Sequence, residues 1–171
     1  KHFPTEKDRA RKGGNGVYYH ISYWGRPHDY LWLSTNHPAQ IYTQMKQAYD
    51  KGAKDVWIVN AGDLKPGEYL TELFLDMAWN INAIQNDISG LDQHLQNWLG
   101  REFGPSNAAA LLQVMNEYYR LAYIRKPEFM GATRTEEKDP KYKVVADLPW
   151  SETEIRERLK AYEVLAAKVE N

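Results

Sequence analysis

The chain has 171 residues, 43% of them hydrophobic, with 22 basic against 23 acidic side chains and no cysteine. That length can bury one sizeable core, and a net charge of -1 gives no electrostatic footprint for nucleic acid or an anionic membrane. Disulfide and thiolate chemistry are excluded, and no apolar run is long enough to span a bilayer.

Residues 1–15 are charged and run into Gly13-Gly14-Asn15-Gly16, which reads as a flexible lead-in. The chain opens on Lys1 with neither an initiator Met nor an apolar signal region, as a cut end would. Val17–Tyr23 is rich in β-branched and aromatic residues and is predicted as a strand, ended by Gly25-Arg26-Pro27. A helix is predicted next, with Asn36 as its cap, Pro38 in its first turn, Ile41, Met45, Ala48 and Tyr49 at helical spacing, and Gly52 as the stop. The apolar run Asp55-Val56-Trp57-Ile58-Val59 is a second strand, and its continuity argues for burial on both faces, as in a parallel sheet. Asn60-Ala61-Gly62-Asp63 is a turn, and Pro66 opens a helix whose Leu70, Leu73, Phe74, Met77 and Ala78 share one face.

After residue 80 the pattern becomes wholly helical. Ile88, Leu91, Leu95, Trp98 and Leu99 form one stripe, ended by Gly100. Leu111, Leu112, Met115, Tyr119 and Ala122 form another after Pro105-Ser106. A polar connector covers roughly 126–149, with a weak strand pattern at Tyr142–Ala146. Ser151 and Glu154 then read as a capping box for a last helix carrying Ile155, Leu159, Tyr162 and Leu165.

The expected fold is mainly α with a small parallel β element: a β-α-β-α segment over residues 1–82, then a helical bundle over 83–171. Two parallel strands leave two open edges and do not make a stable sheet alone. The segment is therefore expected to be the end of a larger, TIM-like α/β barrel, and the chain a piece of a longer protein. Such a piece exposes apolar faces, so self-association is expected.

In parallel α/β folds ligands bind at the carboxyl ends of strands. The first strand end offers His20, Tyr23, Trp24, Arg26, His28 and Asp29, and the second Asn60, Asp63 and Lys65. Adjacent parallel strands bring the two sets to one rim. Six Trp and twelve Tyr exceed the needs of a small core, and rings with a polar handle suit ligand surfaces. Aromatic faces for sugar rings, Arg and Lys for a carboxylate, and Asn and Asp for hydroxyls together fit an acidic sugar. Each residue also has an ordinary reading: His20 as a strand histidine, Asp63 as a helix cap, Arg26 as a loop charge. His20 and His28 flank a Pro turn without a third ligand at metal spacing, so no metal is expected. No phosphate-cradling or nucleophile-elbow motif is present, and no cofactor is implied.

These residues carry a family resemblance. GVYYHISYWGRPHDYLWL, the helix after it, WIVNAGDLKPGEY and FLDMAWN resemble glycoside hydrolase family 115, the xylan α-glucuronidases that remove 4-O-methyl-glucuronic acid side chains. The resemblance implies inverting hydrolysis of glucuronoxylan without a metal, in a secreted or periplasmic protein. It implies that Tyr19, His20, Tyr23, Asn60 and Asp63 line the active site, with Lys65 and Glu68 as a supporting shell. His20 and Asp63 are the candidate catalytic groups, with Tyr19, Tyr23, Trp24, Arg26, His28, Asn60 and Lys65 as substrate-binding candidates; which carboxyl group is acid and which is base stays unassigned. The turn departs from the family pattern at Ala61, where a larger apolar residue is expected, a difference of packing. The resemblance also implies barrel strands and acidic loops upstream of residue 1, so the chain alone is expected to be inactive. A non-catalytic carbohydrate-binding module and a helical interaction module are the competing readings.

Overall fold

A computed structural model describes residues 3–22, 33–85, 87–124 and 151–170. It has β1 (Gly16–His20) and β2 (Val56–Asn60) as a two-stranded parallel sheet, with Gly16 opposite Val56 and His20 opposite Asn60. The chain is mainly α with this small parallel β element. The helices are α1 (Glu6–Arg9), α2 (Pro38–Asp50) and α3 (Glu68–Trp79), followed by α4 (Gly90–Phe103), α5 (Ala108–Ile124) and α6 (Glu152–Glu170). The connector expected at 126–149 and the strand pattern Tyr142–Ala146 lie outside the described residues.

The lead-in is more ordered than its composition suggests. Thr5 and Asp8 form a reciprocal capping box over the single turn of α1, and Asn15 Nδ2 donates to the Asp8 carbonyl at 2.9 Å. Asn15 N–H donates to Asp55 Oδ2 at 2.8 Å, while Asp55 N–H donates to the Asn15 carbonyl at 2.9 Å. This exchange locks the two strand starts together. Gly14, at φ 70, permits it, because a Cβ there would lie 2.5 Å from the Asp55 carboxylate.

The strands are five residues each, and their side chains alternate between two faces. Val17, Tyr19, Trp57, Val59 and Ala61 pack against a buried cluster formed by Ile41 and Met45 of α2 and Leu70, Leu73, Phe74 and Met77 of α3. The other face is open: Tyr18, Val56 and Ile58 are 60%, 56% and 51% exposed. The continuous apolar run of β2 therefore does not mean burial on both faces among the described residues. Among the described residues, helices cover only one side of this sheet.

Three local expectations are corrected. His37, not Asn36, caps α2, its Nδ1 accepting the Ala39 N–H at 3.1 Å. Asn36 instead bonds the backbone at the end of β1. Gly100 does not stop the fourth helix, which runs on to Phe103 and ends at Gly104 with φ 90; a Cβ at Gly100 would meet the Ala108 Cβ at 3.7 Å, an ordinary contact. Ile88 lies outside the buried stripe and is 54% exposed, while Leu91, Leu95 and Leu99 are buried. The Ser151–Glu154 capping box forms as predicted. On α6, Leu165 is buried, whereas Ile155 and Leu159 remain exposed.

The hydrophobic cluster runs on from α3 through Ile84 to Leu91, Leu95 and Leu99 of α4, Ala108 and Tyr119 of α5. It crosses the boundary expected at residues 82 and 83. No helix among the described residues is long and apolar enough to cross a membrane.

Candidate active site

The carboxyl ends of the two strands lie side by side, as parallel pairing requires. His20 is the direct partner of Asn60, and the ladder closes with Ile21 N–H donating to the Asn60 carbonyl at 3.1 Å. Both side chains sit on the open face. Asn60 Nδ2 donates to the Tyr18 hydroxyl at 3.3 Å, and the Tyr18 ring meets the His20 ring edge-on with centroids 4.9 Å apart. Tyr18, His20 and Asn60 thus form one polar aromatic cluster on the half-open surface at the rim.

Past β2 the Asn60 side chain turns the backbone, its Oδ1 accepting the Gly62 N–H at 3.2 Å, with Gly62 at φ 65. Asp63 and Lys65 follow on this turn, both exposed. Asp63 does not cap the next helix: the N-cap of α3 is Gly67, and no side chain bonds there. Glu68 occupies the first turn of α3. The remaining candidates, Tyr23, Trp24, Arg26 and His28, lie outside the described residues.

Tyr19 is placed differently from its neighbours. Its hydroxyl donates to Gln44 Oε1 of α2 at 2.8 Å, and its ring stacks on Phe74 of α3 at 6.0 Å. Burial pushes this phenol up to about 12, so it stays a protonated donor. The period of two along a strand separates Tyr19 from His20 and brings Tyr18 to the site instead. The sequence carried that signal, since Tyr18 and His20 are i and i+2.

A second polar cluster lies on α3 and α4. Ligand-capable atoms of Glu72, Asp76 and His94 all fall within 4.8 Å of one another. Their pairings are internal to the fold: Glu72 binds Arg101 at 2.6 Å, and His94 lies between Asp76 Oδ2 at 3.0 Å and the Tyr69 hydroxyl at 3.4 Å. The cluster ties α3 to α4 on the helix side of the sheet.

Residues 1–129 match the family model described as glycosyl hydrolase family 115. The chain belongs to glycosyl hydrolase family 115. A solved family 115 structure, described as a novel 4-O-methyl-α-glucuronidase, BtGH115A, with specificity for decorated arabinogalactans, is 63% identical. The similarity covers 99% of this chain with a TM-score of 0.86. The chain spans 22% of the length of that family 115 protein. No curated protein matches.

Proposed function

We propose that this chain supplies part of the active-site wall of a longer family 115 α-glucuronidase. Its substrate is a (4-O-methyl)-glucuronic acid side chain on a plant polysaccharide. The observation that carries this reading is the meeting of Tyr18, His20 and Asn60 on the open face, at the paired carboxyl ends of β1 and β2. Ring faces and hydroxyl-orienting amides suit a sugar, and a parallel strand end is where such folds bind ligands. His20 and Asn60 act on the uronic acid ring, and Asp63 stands on the turn beside them. Lys65 is a cation of this turn for the substrate carboxylate, and Arg26 is the other cation that the sequence offers for it. Tyr23, Trp24 and His28 complete the binding set.

Inverting hydrolysis uses one carboxylic acid on the leaving oxygen and one carboxylate on a water, about 6.5–9.5 Å apart. Asp63 supplies one carboxyl at this rim. The partner carboxyl then comes from another part of the longer protein, and the chain alone is inactive. Two supports favour a longer protein: the exposed Tyr18, Val56 and Ile58 face, and the 22% span of the relative. Glucuronoxylan and decorated arabinogalactan both offer a suitable uronic acid, and the second enters through the 63% identical relative. Polymers of this kind place the enzyme outside the cytoplasm. The same open face favours self-association of the isolated chain.

The test is uronic acid release from both polysaccharides by the full-length protein and by the 171-residue chain. Release by the longer protein alone is expected. Turnover by the chain itself would overturn the incomplete site, and binding without hydrolysis by either would favour a carbohydrate-binding module. Light scattering of the chain should give more than a monomer mass.

A further inference from the structure

We infer that Asn36 is a positioning residue: it fixes the two peptide planes flanking Ile21 and so aims His20 at the rim. The inference rests on reading the His20–Asn60 rim as the active site. The ladder between the strands ends with Ile21 N–H on the Asn60 carbonyl. Just there, the Asn36 Nδ2 donates to the Ile21 carbonyl at 2.5 Å and approaches the His20 carbonyl at 3.4 Å. A side-chain amide has two N–H donors, so one nitrogen can serve both oxygens. Ile21 itself is buried, 5% exposed, and buried carbonyls need such partners.

Asn36 is itself held from the other side. It directly precedes His37, the cap of α2, and Pro38 opens that helix. The start of α2 is in turn fixed by Ile41 and Met45 in the core. The bond therefore braces the end of a strand against the start of a helix. The two peptide planes set ψ of His20 and φ and ψ of Ile21. They thereby set the direction in which the His20 ring leaves the backbone, toward Tyr18 and Asn60. Misplacement of a reacting group by about 1 Å can cost about a hundredfold in rate.

The experiment uses the full-length protein, with Asn36→Asp, Asn36→Ala, His37→Ala and His20→Ala. Asn36→Asp removes the donor and turns a carboxylate toward two carbonyl oxygens; Asn36→Ala removes the brace without that repulsion. His37→Ala is the structural control, because it loses the cap of α2 and leaves the strand end bonded. Both Asn36 variants should lower kcat at least about tenfold with KM changed less than about threefold, and should displace the His20 imidazole resonances in NMR spectra. His37→Ala should lower the melting temperature while kcat and those resonances hold. Folded Asn36 variants with unchanged kcat, or a kcat loss matched by His37→Ala, would overturn the positioning role while a dead His20→Ala keeps the active-site reading. Full turnover by His20→Ala would overturn both.

Discussion

Tyr18 and Tyr19 are consecutive residues of one strand with opposite occupations. Tyr19 is spent on packing: its ring lies on Phe74, its hydroxyl on Gln44, and burial holds it protonated. Tyr18 is 60% exposed, and its contacts are with His20 and Asn60, the residues proposed for chemistry. The same division runs along β2, where Trp57 and Val59 pack inward while Ile58 and Asn60 share the open side. A strand pair with helices on one face can dedicate one set of alternate residues to stability and the other to a ligand. The two sets then tolerate change very differently.

The largest effect that tests this division is on the helix side. Phe74 is fully buried between the rings of Tyr19 and Trp57. Phe74→Ala should destabilise the chain by about 3–5 kcal/mol in urea denaturation followed by circular dichroism. Ile58→Ala, on the open face, should cost under about 1 kcal/mol in the same assay. Equal losses would mean that the open face is covered. Tyr19→Phe should cost about 1 kcal/mol through its hydrogen bond to Gln44. The raised Tyr19 value also gives a sign: its contribution is fully present below the ordinary phenol value of 10.0 and is lost as pH rises toward about 12. Alkaline melts should therefore fall less steeply for Tyr19→Phe.

His37 provides an acid counterpart of slightly smaller size. Burial holds its imidazole below the ordinary value of 6.5, and its Nδ1 must be unprotonated to accept the Ala39 N–H. The stabilisation is present above 6.5 and is lost as pH falls below it. Melting temperatures at pH 7.5 and 5 should differ less for His37→Asn, which keeps a cap without titrating there. The smallest effect belongs to the solvent-facing Arg101–Glu72 pair between α4 and α3. Arg101→Met should change stability by well under 1 kcal/mol, and added salt should erase the difference.

Much of the architecture was legible from periodicity. Ile41, Met45 and Ala48, and then Leu70, Leu73, Phe74 and Met77, marked helix faces that do enter the core, whereas Ala78 of the same expected face is exposed. The convergence of His20 with Asn60 followed from parallel topology alone. Other features depended on partners far away in sequence. Gly100 reads as a stop because glycine costs a helix about 1 kcal/mol, but the positive φ that ends this helix falls at Gly104 instead. Asn36 reads as the cap of α2, but the Ile21 carbonyl engages it and the Ala39 N–H falls to His37. Val56 and Ile58 look like buried-strand residues, but what covers a second face is no property of the strand itself. Tyr18 was missed although simple alternation pairs it with His20.

The exchange between Asn15 and Asp55 at the far end of the sheet has a consequence for inheritance of function. A slip of one residue between the strands would send His20 to the Phe74 side and Tyr19 to the rim. Asp55, five residues before Asn60 and thus about 16 Å from the rim, guards against that slip through its carboxylate and its backbone. A lineage that lost Asp55 or the bare Gly14 beside it could keep every residue of the rim unchanged and still lose the arrangement of the rim. Such a loss would be invisible to anyone comparing only the residues of the rim.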